Sequence, residues 1–228
     1  MENAITMEKN VYEIVMAPFL CSKCIQDFTS EHSVKCVRCG ERVSKHNSLK
    51  NNCHACEKYK KTFDKVSFVG LYQGIYKQLI HLYKFKNKRQ LAKPFAQLLQ
   101  YQLNKNWDIS QVDKIIPVPL HISRLRERGY NQALLMLWQW KHGDYRSKII
   151  PKMLIRKRAT ETQTNLTRNE RMKNMKSVFR LNPKYCVLNQ NIIIIDDVYT
   201  TGATVHACAE VLKKNGAKRV DVLTLARA

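Results

Sequence analysis

Four consecutive isoleucines, Ile192–Ile195, stand between Asn191 and an acid pair, Asp196 and Asp197. A short β-branched run bounded by polar residues predicts a buried strand. After Thr200, Thr201, Gly202, Ala203 and Thr204 the spacing changes to a helical one, through Ala207, Val211 and Leu212. From Phe63 onward the whole pattern reads as mixed α/β. Val66–Tyr72 predicts a strand broken at Gly74, and Ile75–Tyr83 a helix with Leu79, Ile80 and Leu82 apolar. Leu91–Leu103 predicts a helix with Phe95, Leu98 and Leu99 on one face. Lys114–Val118 predicts a buried strand, with Pro117 and Pro119 marking its exit. The expected organisation is a cysteine-rich module over residues 1–62 and an α/β domain over residues 63–228.

In an open α/β sheet, ligands bind beyond the carboxyl ends of the strands. A glycine turn that opens a helix presents free backbone N–H groups to a phosphate, and threonine hydroxyls add donors. Paired carboxylates accept from sugar hydroxyls or hold a metal-bound sugar phosphate. The stretch Asn191–Thr204, NIIIIDDVYTTGAT, resembles the phosphoribosyl-pyrophosphate (PRPP) loop of type I phosphoribosyltransferases. The resemblance implies that Thr200, Thr201, Gly202, Ala203 and Thr204 hold the 5′-phosphate. It also implies that Asp196 and Asp197 face the ribose 2′- and 3′-hydroxyls.

Beyond the predicted strand at Lys114–Val118 comes HISRLRERGYNQ, His121–Gln132. Arg124, Arg126 and Arg128 occupy alternate positions, and Gly129 permits a turn before a helix starting near Asn131. A loop with several guanidiniums suits a pyrophosphate, because Arg donates in pairs. It also falls where type I phosphoribosyltransferases carry their pyrophosphate loop. If a reaction runs, Asp196, Asp197, Arg124 and Arg128 are the expected catalytic residues, with Mg²⁺ bridging the pyrophosphate to the loops.

Charge widens the picture. Lys and Arg number 40 against 18 acids, a formal net charge of +22. Such an excess implies a polyanionic partner, most simply nucleic acid, or an anionic membrane surface. Within Lys152–Lys184 ten basic residues face two acids. Arg158, Arg168, Arg171, Lys173 and Lys176 are the candidate nucleic-acid contacts there, or part of a flap over the site. Base-stacking aromatics are sparse in that block, with Phe179 and Tyr185 the main candidates. No apolar run reaches the ~20 residues of a membrane span. The first residues show no basic-then-apolar leader pattern, so a cytoplasmic protein is expected.

Six of the eight cysteines form CxxC pairs: Cys21/Cys24, Cys36/Cys39 and Cys53/Cys56, separated by 11 and 13 residues. Two such knuckles complete a tetrahedral thiolate site, and a segment this polar needs a metal to fold. Cys36, Cys39, Cys53 and Cys56 are favoured for Zn²⁺, since Cys39-Gly40 supplies a turn glycine. Cys21 and Cys24 are alternatives for either pair, or complete a second site with His32, His46 or His54. A cytosolic setting argues against disulfides. Cys186 and Cys208 read as small core residues.

Together these motifs resemble the ComF/GntX family, which includes the competence protein ComFC. They are the CxxC knuckles, LIHLYKFK before Asn87, PVPL–R–RGYNQA over Pro117–Ala133, RATETQTNL–R–N–F over Arg158–Phe179, and IDDVYTTGAT. The resemblance runs from about Leu20 to Arg227. It implies a type I phosphoribosyltransferase-like fold, a parallel sheet flanked by helices, with an N-terminal zinc finger. It further implies a role in natural transformation on incoming single-stranded DNA, with DNA-uptake and recombination proteins as partners. The chain departs from many members in having no cysteine before Cys21. An active phosphoribosyltransferase of nucleotide metabolism, and a PRPP sensor without turnover, are the alternative functions.

Overall fold

The computed structural model describes residues 11–29, 36, 38–40, 53, 56, 62–140, 144–157 and 178–228. Its centre is a four-stranded parallel sheet. In chain order the strands are β1 (Lys65–Leu71), β2 (Lys114–Pro117), β5 (Asn191–Tyr199) and β6 (Arg219–Arg227), in spatial order β1-β6-β5-β2. Two short strands, β3 (Leu154–Arg156) and β4 (Phe179–Leu181), pair antiparallel beside it.

The isoleucine run lies in β5, a central strand paired with β6 along its whole length and with β2 over Lys114–Pro117. Both faces of β5 are covered, which is why its sequence is continuously apolar and does not alternate. Period two still assigns the faces. Ile193 and Ile195 join one core with Leu223 and Leu225, under the helices α2 (Gly74–Phe85), α3 (Ala92–Asn106) and α5 (Gln132–Leu137). Ile192 and Ile194 join a second core with Val220, Val222, Met153 and Phe179, under α7 (Ala203–Lys214), while the short α6 (Asp144–Lys148) lies against β2.

Described residues ahead of residue 62 pack directly on the α/β core. Tyr12, Met16 and Ile25 belong to the first core, and α1 (Ser22–Thr29) packs on α2. The Tyr12 hydroxyl donates to the Val69 carbonyl at 3.2 Å. The second knuckle borders the outer strand β1, where Val66 N–H donates to the Arg38 carbonyl at 2.9 Å. An exposed strand edge invites unwanted pairing, and this contact helps to cover it. Among the described residues no helix is long and apolar enough to cross a membrane.

Three readings of the sequence need correction. The strand does not end before the acid pair. β5 runs to Tyr199, and Asp196 still stands opposite Thr224 of β6. Residues 122–128 are not a loop but a short helix, α4 (Ile122–Arg128), capped by His121 and ended by Gly129 at φ +74°. Cys186 is exposed, whereas Cys208 is buried as expected.

Candidate functional site

Because β5 and β2 are adjacent and parallel, the segments that follow them open at the same edge of the sheet. The extension of β5 through the acid pair has a geometric consequence: neighbouring residues on a strand point to opposite faces. Asp197 reaches the α2 side, where Lys84 Nζ lies 2.7 Å from its Oδ1 and both side chains are largely buried. Asp196 reaches the α7 side, towards Cys208 of α7 and Arg156 of β3. Burial first, and the Asp197 charge second, push the Asp196 carboxyl up to about 7, against the opposing pull of Lys84, the Asp197 N–H and Arg156. The Asp197 N–H donates to Asp196 Oδ1 at 2.9 Å.

The turn after β5 is built around Gly202. It sits at φ +76° before the first turn of α7, and a Cβ there would stand 2.5 Å from the Tyr199 hydroxyl. Only glycine fits this position without strain. Thr200 is exposed and Thr201 and Thr204 are half-buried. The Thr201 hydroxyl accepts from Ala203 N–H at 3.4 Å. The first N–H groups of a helix lack intrahelical acceptors, and the dipole adds positive potential there. The turn therefore has the chemistry of an anion cradle.

The arginines come from α4. Helical geometry replaces the alternate-position reading: Arg124 and Arg128, four apart, share a face, and Arg126 is exposed. Arg124 donates to Glu127 at 2.7 Å. The Arg128 guanidinium lies 5.1 Å over the Phe85 ring and donates to Gln132 Oε1 at 3.3 Å. Asn131 caps α5 through its side chain and donates to the Val118 carbonyl at 2.9 Å. Two N–H donors here, Arg128 Nε and Gln132 Nε2, are buried and meet no acceptor among the described residues. Buried donors left this way are costly, and an anion would satisfy them.

Two residues of this edge escaped the reading from sequence as members of the site. Lys84, within the LIHLYKFK motif, carries the contact to Asp197. Arg156 is marked in the sequence only as one of the ten basic residues of Lys152–Lys184. Burial lowers its pKa, the nearby Cys208 and Asp196 oppose that, and Arg124 and Arg128 add to it. Mutual influence of this kind puts four of the site's charged groups in one field. Arg158, Arg168, Arg171, Lys173 and Lys176 lie outside the described residues. Of the two aromatics expected to stack on bases, Phe179 is a buried core residue and Tyr185 is half-buried against the same core.

At the other end of the chain, the Sγ atoms of Cys36, Cys39, Cys53 and Cys56 all lie within 4.8 Å of one another, and all four residues are buried. Four thiolates at a Zn–S length of about 2.3 Å stand about 3.8 Å apart, so this cluster can bind a metal such as zinc. Burial opposes the Cys36 thiolate. The N–H donors of Cys39, Cys53 and Arg38 outweigh it and bring the thiol down to about 7. Cys21 is exposed and Cys24 half-buried at the start of α1, outside the cluster. The cluster touches the sheet's working edge through Arg227. Its Nη1 donates to the Cys39 carbonyl at 2.6 Å, and its guanidinium lies 5.2 Å over Tyr199, the ring behind Gly202.

Comparison with known proteins agrees with this layout. The phosphoribosyl transferase domain model matches residues 150–228, which hold β3 to β6 and the Gly202 turn. The chain is 32% identical to the DNA utilization protein YhgH of Escherichia coli O157:H7 over 214 residues, 91% of this chain and 90% of the relative. It is 30% identical to Competence protein F of Haemophilus influenzae over 216 residues, 92% and 90% of the two chains. To Competence protein ComFC of Streptococcus pneumoniae it is 27% identical over 212 residues, 91% and 87% of the two.

Proposed function

The chain belongs to the ComF family, and from this premise we propose that it is a competence-type protein that handles incoming single-stranded DNA in the cytoplasm and keeps a pocket for PRPP or another ribose phosphate. The names of its relatives support the DNA role, and the net charge of +22 suits a polyanionic partner. One observation carries the pocket: the Gly202 turn, the acid pair and the unsatisfied donors of Arg128 and Gln132 meet at one edge of the sheet.

In this reading the α7 N-terminus and Thr200–Thr204 take the 5′-phosphate. The pyrophosphate lies towards Arg128, Gln132, Arg124 and Arg156, whose hydrogens and charge suit it. The acid pair Asp196 and Asp197 would help to hold Mg²⁺ with the bound pyrophosphate, and the ion would supply positive charge to the leaving group. A ribose hydroxyl reaches Asp197 Oδ1 only by sharing or displacing the Lys84 ammonium. Asp196, on the other side of the strand, can hold or release a proton near neutrality.

The test is binding of labelled single-stranded DNA across a salt series, with and without PRPP and Mg²⁺. Steep weakening with salt is the expected result, and a change on adding PRPP would couple the pocket to the DNA. Absence of binding at low salt overturns the DNA role. Pyrophosphate release that requires both Asp196 and Asp197 would then mark a phosphoribosyltransferase, and PRPP binding without turnover a sensor.

A further inference from the structure

We infer that the outer face of α2, centred on Phe85 with His81 and Leu82 beside it, is the platform on which bases of single-stranded nucleic acid stack as the strand passes the site. The inference rests on the DNA role proposed above and gives it a place.

The face is anomalous for a helix that buries one side. The core side is Tyr76, Leu79, Ile80 and Tyr83. The opposite side of such a helix is ordinarily polar. Here Phe85 is 52% exposed, Leu82 is 36% exposed, and His81 is exposed as well. Phe85 is also held in place. The His81 ring lies 5.0 Å away, and the Arg128 guanidinium lies 5.1 Å over the phenyl ring. An exposed ring braced by a guanidinium is what a base stacks on, because every base has a π-face and its phosphate seeks the cation.

Charge selects the occupant. Between Asp64 and Asp108 the chain has no acidic residue and eight Lys or Arg. Of these, Lys86, Lys88 and Arg89 follow Phe85 directly and are exposed, as is Arg126 on α4. An apolar patch with no acid on its own helix, and with Glu127 of α4 already paired to Arg124, suits an anionic strand with flat bases better than another basic surface such as a second copy of this chain. Position points the same way. Lys84, the residue before Phe85, grips Asp197 from the same helix, and Arg128 belongs to both the platform and the anion site. A strand stacked on Phe85 therefore runs along the rim of the pocket. The platform also fills the gap left by Phe179, which lies in the core and offers no face to a base.

The experiment uses the full chain with a labelled oligothymidylate and an abasic oligonucleotide of the same length, which keeps the phosphates and lacks the bases. Phe85→Ala is expected to weaken oligothymidylate binding about tenfold and to leave abasic binding and the salt slope unchanged. Phe85→Trp is expected to bind like the parent, with its fluorescence quenched by the strand. Unchanged oligothymidylate binding by Phe85→Ala, while the parent binds, overturns the platform and leaves the DNA role standing. Equal weakening of both oligonucleotides, or a changed oligomeric state in Phe85→Ala, also overturns it, the second by marking a contact between copies. If the parent binds neither oligonucleotide at low salt, the DNA role itself fails and the platform with it.

Discussion

The two sides of the β5 tip make opposite use of the same residue type. Asp197 meets an ammonium at 2.7 Å on the α2 side, a direct ion pair with both partners largely out of water. Asp196, one residue earlier, meets burial and a neighbouring like charge, with Arg156 only a minor opposing influence, and its carboxyl titrates near 7. The lesson is that a paired-acid motif does not make a pair of equivalent carboxylates. Strand geometry sends the two side chains to different faces, and the packing there decides which one meets a cation and which one is left to burial and a like charge.

That contrast can be attacked directly. The largest effect is expected from Lys84→Met, which leaves Asp197 buried without its cation and should cost about 3 kcal/mol in urea unfolding. Adding Asp197→Leu should recover most of the loss, because an uncompensated charge is worse than no charge. If the double variant is as unstable as the single one, Lys84 acts through packing and the contrast weakens.

Next comes pH. The folded-state pKa of Asp196, about 7, lies above an unfolded value of about 3.9. Between these values the folded protein binds more protons than the unfolded chain, so Asp196 makes stability fall as pH rises through that window. Its share of the slope is at most ~1.4 kcal/mol per pH unit. Asp196→Asn should flatten this part of the curve, measured as unfolding midpoints from pH 4 to 8, whereas Asp197→Asn should only narrow it, because burial of Asp196 remains when the neighbouring charge is gone.

Gly202→Ala sharpens the comparison from below, at the turn that both sides share. A positive φ and the Tyr199 hydroxyl 2.5 Å from the new Cβ should cost about 1–2 kcal/mol and weaken PRPP binding. The smallest effect is expected from Arg124→Gln. Its pair with Glu127 is partly exposed, so thermal stability should change by less than about 0.5 kcal/mol, while affinity for pyrophosphate falls.

Much of this was legible in the chain. A β-branched run with no alternation required a strand covered on both faces, and Ile192–Ile195 is one. The strand at residues 66–72, the helices at 75–83 and 91–103 and the helix start at Asn131 lie within a few residues of their observed places, because each is set by local periodicity and caps. The cysteine spacing favours the four residues that do cluster, since two CxxC turns at that distance can bring four sulfurs together, while the alternative of Cys21 and Cys24 is excluded from that cluster only by the tertiary structure. The arginine segment is not decided by its spacing, because alternate positions are equally compatible with a loop and a short helix. His121 and Gly129 as caps decide for the helix, through one hydrogen bond and one left-handed residue.

The sequence by itself determined the main strands and helices, the glycine at the turn after β5 and a short list of thiols able to cluster, because these depend on neighbours a few residues away or on the chemistry of the residue type. Only the tertiary structure decided that Lys84 grips Asp197 across 113 positions of chain, that Arg156 shares a field with Asp196, and that Phe179 is core while Phe85 faces water. Those outcomes depend on which face of an element meets another. Strand order and helix packing choose that, and no local pattern encodes it.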